Sequence, residues 1–215
     1  MKFEPRRFLS LLALAASLAG ALSACAPVVL GGAVMGTVVA TDRRTSGAQL
    51  EDEGIELRSG SRIRENVGER VHVNITSYNR RVLLTGEVPN AQDKQLVESI
   101  VTKVDNVQSV VNELTVAEIS SLTQRSSDAV VTGRVKAGMI DAKDLVSSAF
   151  KVVTERGTVY LMGRVTQREA ARATEIARSA TGVQKVVRVF ETITEDELRN
   201  LLPQPAPVAD APAKK

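Results

Sequence analysis

Few residues in this chain could do chemistry. Its 215 residues include one cysteine, Cys25, one histidine, His72, and no tryptophan. A zinc cluster, a disulfide framework or a Cys–His pair needs several such residues, so these sites are excluded, and no metal ion or other cofactor is expected. His72 lies opposite the apolar residues of an alternating stretch, where a solvent-facing strand residue is expected rather than a catalyst. The acidic run at 51–53 suits a helix start, where acids favour the helix dipole. We therefore expect no enzyme activity.

The single cysteine follows an export signal. Residues 1–24 carry three basic residues near their start and then an apolar run at 8–22, as a signal peptide does. This run is short for a transmembrane helix, which needs about 20 apolar residues. The closing Leu-Ser-Ala-Cys resembles the lipobox of bacterial lipoproteins, in which the cysteine is acylated and becomes the mature N-terminus. Cys25 is therefore the predicted lipid attachment site. The alternative is an ordinary signal cut near Ala24 that leaves Cys25 as a free thiol.

The residue after the cysteine bears on location. In lipoproteins an aspartate at that position favours retention in the inner membrane, and here it is Ala26. The resemblance therefore implies lipid anchoring in the outer membrane, on the periplasmic face. Residues 25–47 are the predicted lipidated N-terminus and tether. Without residues 1–24 the net charge falls from +3 to +1, and only 3% of the chain is aromatic, which argues against nucleic acid as a partner.

The body of the chain contains an internal repeat. Residues 82–88 match residues 159–165 at an offset of 77, and residues 106–111 match residues 182–187 at an offset of 76. Two matched segments that differ by one deletion indicate two copies of one structural unit.

Both copies predict the order helix, strand, strand, helix, strand. The first copy has a helix at 50–67, strands near 71–75 and 82–88 around a turn at 79–81, a helix capped by Asn90, and a last strand at 107–116. The second has a helix from about 129 to 140 capped by Ser127 or Asp128, strands around a turn at 155–158, a helix with the capping box Thr166 and Glu169, and a strand at 183–193.

The predicted fold class is α+β, with two tandem α-β-β-α-β units, each a three-stranded mixed sheet with two helices. Neither unit, at about seventy residues, has a large core, so docking of the pair is expected to add stability. The predicted organisation is a signal peptide at 1–24, the tether at 25–47, a first unit at 48–117, a linker at 118–123, a second unit at 124–194 and a disordered tail at 195–215.

Three stretches resemble the BON domain family: Leu-Leu-Thr-Gly-Glu-Val at 83–88, Leu-Met-Gly-Arg-Val-Thr-Gln-Arg-Glu-Ala at 161–170 and Gly-Val-Gln-Lys-Val at 182–186. With the lipobox, the arrangement is similar to outer-membrane lipoproteins with two BON domains. The resemblance implies a non-enzymatic protein that binds anionic phospholipid, such as phosphatidylglycerol, and supports outer-membrane integrity. Localisation to division sites is a further expectation of the resemblance.

The two units differ in charge. Residues 48–117 carry a net −3 and residues 124–193 a net +5, so the second unit favours an anionic surface. The resemblance places phospholipid contact on its first helix. Apart from a core stripe of Val131, Val135 and Met139, that helix has a second side, and the candidate phospholipid-binding residues there are Val130, Gly133, Arg134, Lys136 and Ala137.

Other interpretations stay open. Without the resemblance, Arg134 and Lys136 would be ordinary solvated charges and Val130 a core residue. The helix also lacks the Trp or Tyr that strengthens interfacial binding. The alternative function is a protein-interaction adaptor for outer-membrane assembly machinery or cell-wall remodelling, acting through the exposed sheets or the acidic first unit. A small periplasmic hydrolase ranks last.

Overall fold

The structure, a computed structural model, describes residues 42–201. The predicted signal peptide, Cys25 and residues 202–215 of the predicted tail lie outside these residues. Residues 42–47 were predicted to belong to the tether, but they form part of the folded body, because Arg43 is buried against the second repeat.

The first repeat, residues 46–116, has the predicted order of elements. They are α1 (Ser46–Val67), β1 (His72–Tyr78), β2 (Arg81–Val88), α2 (Ala91–Thr102), β3 (Ser109–Asn112) and β4 (Thr115–Val116). β1 and β2 form an antiparallel hairpin, and both β3 and β4 run parallel to β2. The predicted last strand is thus interrupted at residues 113 and 114.

The second repeat, residues 122–201, repeats this topology. Its elements are α3 (Leu122–Asp141), β5 (Lys151–Glu155), β6 (Thr158–Val165), α4 (Gln167–Ser179), β7 (Lys185–Thr192) and α5 (Glu195–Leu201). β6 pairs antiparallel with β5 and parallel with β7. The predicted α+β class with two tandem mixed sheets is confirmed.

Two predicted boundaries in the second repeat were wrong. α3 begins at Leu122 because the hydroxyl of Ser121 accepts a hydrogen bond from the Gln124 amide at 3.2 Å, which shortens the predicted linker and places Ser127 and Asp128 inside the helix. Residues 195–201 of the predicted disordered tail form α5. Thr194 and Glu197 exchange hydrogen bonds at its start, as in a capping box.

The start of α1 also differs from the prediction. Thr45 caps the helix by accepting from the Ala48 amide at 3.1 Å. The acidic run at 51–53 therefore lies beyond the first turn, and its predicted role at the helix start was wrong. Leu50 and Leu57 point outward, with 71% and 75% of their surface exposed. The apolar residues of α1 that face the core are Ile55, Ile63 and Val67.

Three apolar clusters hold the described residues together. One lies between the helices and sheet of each repeat. The third joins the opposite faces of the two sheets, and its buried members come from both repeats: Tyr78, Leu83, Tyr160, Met162 and Val189. Each sheet is therefore covered by helices on one face and faces the other sheet on the other face. This packing supplies the docking contact that two small units were expected to need.

A buried aspartate in each first helix holds the hairpin turn of its own repeat. Asp52 accepts from the backbone amides of Asn79 and Arg80 at 2.7 and 2.8 Å. Asp128 accepts from those of Arg156 and Gly157 at 2.8 and 2.9 Å. All four turn residues have positive φ, between 49° and 73°, which turns their amides toward the helix. Neither aspartate was recognised as a turn-binding residue from the sequence, although their spacing of 76 follows the repeat.

Replacing Asp128 should therefore destabilise the second repeat. Asp128→Ala leaves two turn amides without their acceptor, and an unsatisfied buried donor costs about 1–3 kcal/mol. We expect a loss of about 2–4 kcal/mol in the free energy of unfolding, measured by urea titration. The matched control is Asp141→Ala at the exposed end of the same helix, where the change should stay within about 0.5 kcal/mol. Equal losses in the two variants would contradict a turn-holding role.

Candidate functional site

The five predicted phospholipid-binding residues share an exposed surface of α3. Each of them is exposed: Val130, Gly133, Arg134, Lys136 and Ala137. The opposite stripe faces the core, with the surface exposure of Val131, Val135 and Met139 at 3%, 0% and 1%. The predicted division of this helix into a core stripe and an exposed side is confirmed, and the alternative in which Val130 belongs to the core is wrong.

Two large apolar residues on this side of α3 were missed from the sequence. Leu122 is 79% exposed and Ile140 is 69% exposed, compared with 52% for Val130. At about 100° of rotation per residue, all three lie within about 80° of one another on the helix surface. Leu122 was missed because the helix was predicted to begin at 129, and Ile140 because it was taken only as the last residue. The i, i+18 spacing, five full turns, is the signal that would have paired them.

The two basic residues of this surface have different surroundings. Arg134 Nη1 donates to the carbonyl oxygen of Thr181 at 3.0 Å, which uses one of the five guanidinium donors. Lys136 lies beside a cleft of about 230 Å³ between α3 and β5. Ile140 and Phe150 also line that cleft. A cation beside exposed apolar side chains suits contact with a phosphate group at a membrane surface.

A second group of side chains meets between the repeats. His72 Nδ1 lies 2.9 Å from Glu87 Oε2, and Arg156 Nη1 from the second repeat donates to Glu87 Oε1 at 3.3 Å. Glu87 is fully buried and the His72 side chain is 20% exposed. The prediction that His72 faces solvent was wrong, because its face of the sheet packs against the second sheet. Burial acts to raise the pKa of Glu87, but hydrogen bonds from His72, Ser120 and Arg156 outweigh it and lower the pKa.

Glu155 completes this group. It lies at the end of β5, is 7% exposed, and accepts from Asn74 Nδ2 of the first repeat at 2.8 Å. Burial raises the pKa of Glu155, and the nearby Glu87 charge adds to the effect. One potential ligand atom from each of His72, Glu87 and Glu155 lies within 4.8 Å of the others. The three residues are 15, 68 and 83 positions apart in the chain, and such separations form no pattern from which the cluster could have been predicted.

Comparison with known proteins identifies the repeats. The BON domain family matches residues 51–118 and 127–194, which correspond to the two repeats. The chain belongs to the BON domain family. Among the described residues, no helix of this BON protein is long and apolar enough to cross a membrane.

Relatives of this BON protein include an outer membrane lipoprotein. It is 39% identical over 172 residues to the outer membrane lipoprotein DolP of Haemophilus influenzae, which covers 79% of this chain and 89% of that protein. It is also 29% identical over 154 residues to the 21 kDa hemolysin of Actinobacillus pleuropneumoniae, covering 71% of this chain and 79% of that one. The protein is thus a DolP-like outer-membrane lipoprotein, and this family is not known for enzymes.

The match to a solved structure is weaker than these sequence matches. CdsD, a structural protein of the type III secretion system of Chlamydia trachomatis, aligns with 70% of this chain and 98% of its own at a TM-score of 0.29 and 12% identity. At that level the likeness carries no functional conclusion.

Proposed function

We propose that this BON-domain lipoprotein is anchored in the outer membrane by acylated Cys25 and binds anionic phospholipid, such as phosphatidylglycerol, through the exposed side of α3. Such binding would support outer-membrane integrity. The observation that carries the proposal is the combination on one helix side of three exposed apolar residues with Arg134 and Lys136. The second repeat is also the more basic of the two, with a net +5 over residues 124–193.

The expected affinity is modest. Each Lys or Arg near an anionic surface contributes about 1 kcal/mol, so Arg134 and Lys136 together favour anionic over neutral lipid by about 30-fold. The exposed apolar residues would add contact with the interface without distinguishing the lipids. An anchor at Cys25 would keep the protein at the membrane, where a weak contact is sufficient because the effective lipid concentration is high.

The test places a probe on this side of α3. The mature lipoprotein is prepared with Gly133→Cys, where an added Cβ meets nothing within 4 Å, and a fluorophore is attached there. We expect quenching by lipid-borne quenchers in nanodiscs that contain phosphatidylglycerol, and little quenching in phosphatidylcholine alone. High salt and the double variant Arg134→Glu/Lys136→Glu should both abolish the quenching, because the contact is electrostatic.

A matched probe serves as the control. Ala171→Cys lies at an exposed position of α4 and should give the same weak signal in both lipids. Equal quenching at the two probe sites would mean that the anchor alone holds the protein near the bilayer. Quenching that survives the charge reversal would remove Arg134 and Lys136 from the contact.

A protein-interaction adaptor is the second candidate. The observation that favours it is the exposure of Leu50 and Leu57 on α1, at 71% and 75%, in the acidic first repeat. Outer-membrane assembly machinery is the partner class proposed for that surface. If Leu50→Ser/Leu57→Ser abolishes the support of outer-membrane integrity in cells while the α3 probe still reports lipid contact, the adaptor interpretation is favoured over lipid binding.

A further inference from the structure

We propose that His72, Glu87 and Glu155 bind a divalent metal ion, with Zn²⁺ preferred, at the contact between the two repeats. His72 and Glu87 come from the β1–β2 hairpin of the first repeat, and Glu155 ends β5 of the second. Their candidate ligand atoms all lie within 4.8 Å of one another. In a tetrahedral site with zinc–ligand bonds of about 2.0–2.2 Å, two ligand atoms lie about 3.3–3.6 Å apart, so side-chain shifts of about 1 Å would bring the three groups onto one ion.

The burial of two carboxylates here calls for a cation. Glu87 is 0% exposed and Glu155 is 7% exposed, so both have lost most contact with water. A buried charge is costly unless it is paired. Apart from His72, the basic side chain that contacts Glu87 is Arg156, at 3.3 Å, and it is itself 44% exposed. The hydrogen-bond donor to Glu155 is the neutral amide of Asn74. A divalent ion would neutralise both carboxylates at once.

The ligand types favour zinc over magnesium or calcium. Zinc binds imidazole nitrogen together with carboxylate oxygen, whereas magnesium and calcium prefer oxygen ligands and take six or more of them. His72 Nδ1 and Glu87 Oε2 lie 2.9 Å apart, at hydrogen-bond distance, and would separate by about 0.5 Å to become neighbouring ligands of a tetrahedral zinc ion. Asn74 would orient Glu155 by its hydrogen bond, as outer-shell groups orient metal ligands elsewhere.

The cluster is also accessible. A cleft of about 540 Å³ opens beside it and is lined by residues of both repeats, among them His72, Asn74, Arg125, Thr132 and Glu155. This cleft gives an ion a path of entry and leaves room for a water molecule as the fourth ligand. Because the three protein ligands come from both repeats, the ion would stabilise their docking.

The test is zinc titration of the chelator-treated mature lipoprotein in mild detergent, followed by calorimetry and by thermal unfolding. We expect a 1:1 complex, and at a free zinc concentration of about 100 times Kd a rise of about 5–10 °C in the unfolding temperature. Magnesium at the same concentration should give no comparable rise. Absence of saturable zinc binding would overturn the proposal.

Two variants separate a metal site from a purely structural cluster. Glu155→Gln keeps the shape and removes a buried charge, so it should fold with unchanged or higher stability and yet lose the zinc-induced rise. His72→Gln should weaken zinc at least about tenfold through loss of one ligand. The control is Glu169→Gln, which alters another buried glutamate of the second repeat, the partner of Arg43, and should lose stability but keep zinc affinity. Equal zinc affinity in wild type and Glu155→Gln would overturn the proposal.

Discussion

Gly86→Ala is expected to lower the free energy of unfolding by at least about 4 kcal/mol, the range of severe backbone clashes. A Cβ at Gly86 would lie 2.1 Å from the carbonyl oxygen of His72 in the paired strand, and the φ of Gly86 is +110°. The strand backbone cannot move aside without breaking the β1–β2 ladder. By thermal unfolding, the expected fall in the midpoint is at least about 8–16 °C for a chain of this size.

The second repeat has the equivalent glycine, and α3 supplies the control. A Cβ at Gly163 would lie 2.4 Å from the carbonyl oxygen of Ala149, so Gly163→Ala should also be severely destabilising. Gly133→Ala changes a helix position with nothing within 4 Å of the added Cβ, and should raise stability by about 0.5–1 kcal/mol. If Gly86→Ala and Gly133→Ala behave alike, close backbone approach is not what requires glycine in these strands.

Arg43→Met is expected to cost about 3–5 kcal/mol, as breaking one side of a buried ion pair does. Arg43 and Glu169 are each 3% exposed at the side chain. The guanidinium donates to both carboxylate oxygens at 2.8 and 2.6 Å, and also to the carbonyl oxygen of Arg164 at 2.8 Å. Loss of Arg43 leaves the Glu169 charge buried without its partner. Denaturant titration at neutral pH measures the cost.

The same pair makes stability depend on pH. Burial acts to raise the pKa of Glu169, but hydrogen bonds from Arg43 and the Thr166 amide outweigh it and lower the pKa. A carboxylate with a lowered folded-state pKa contributes stability above its unfolded pKa, and this contribution is lost as the pH falls through the folded-state value. Arg43→Met should therefore be much less stable than wild type at neutral pH, and the difference should narrow in acid.

An exposed ion pair serves as the control for Arg43. Arg172 pairs with Asp144 and Glu175, and its side chain is 41% exposed. Arg172→Met should cost less than about 1 kcal/mol, because water screens such pairs. A similar cost for the two arginine variants would show that the buried pair contributes no more than a surface one.

Much of the fold was predictable because its signals are either a match between two stretches of the sequence or patterns among residues close together in the chain. The offset of 77 between residues 82–88 and 159–165 predicted two copies of one unit. Asn90 and Thr166 cap their helices as predicted, since a cap depends only on residues three positions apart. Boundaries were less predictable where several capping residues compete. Ser121, Ser127 and Asp128 are all plausible caps before α3, and packing selected Ser121 because Asp128 is bound to the hairpin turn.

Only part of the candidate membrane surface on α3 could be predicted from the sequence. Helical periodicity separated Val130 from the core stripe, but the exposure of Leu122 and Ile140 depends on where α3 begins and ends and on what does not pack against it. A large apolar residue in a helix is ordinarily assigned to a core. Which apolar residues stay outside is decided by the sheet that the helix covers.

The sequence by itself determined the repeat, which is a direct match between two stretches of the chain, and the local features: the alternation of strands and helices, the caps and the core stripe of α3. Each local feature depends on residues within about a turn or two of one another. The tertiary structure alone decided that the free faces of the two sheets meet. That contact buries His72 beside Glu87 and pairs Asn74 with Glu155 over 81 residues. The tertiary structure also pairs Arg43, just before α1, with Glu169 of α4 over 126 residues. Contacts over such separations produce no periodic pattern in the sequence, because they form only when the surfaces of folded segments pack together.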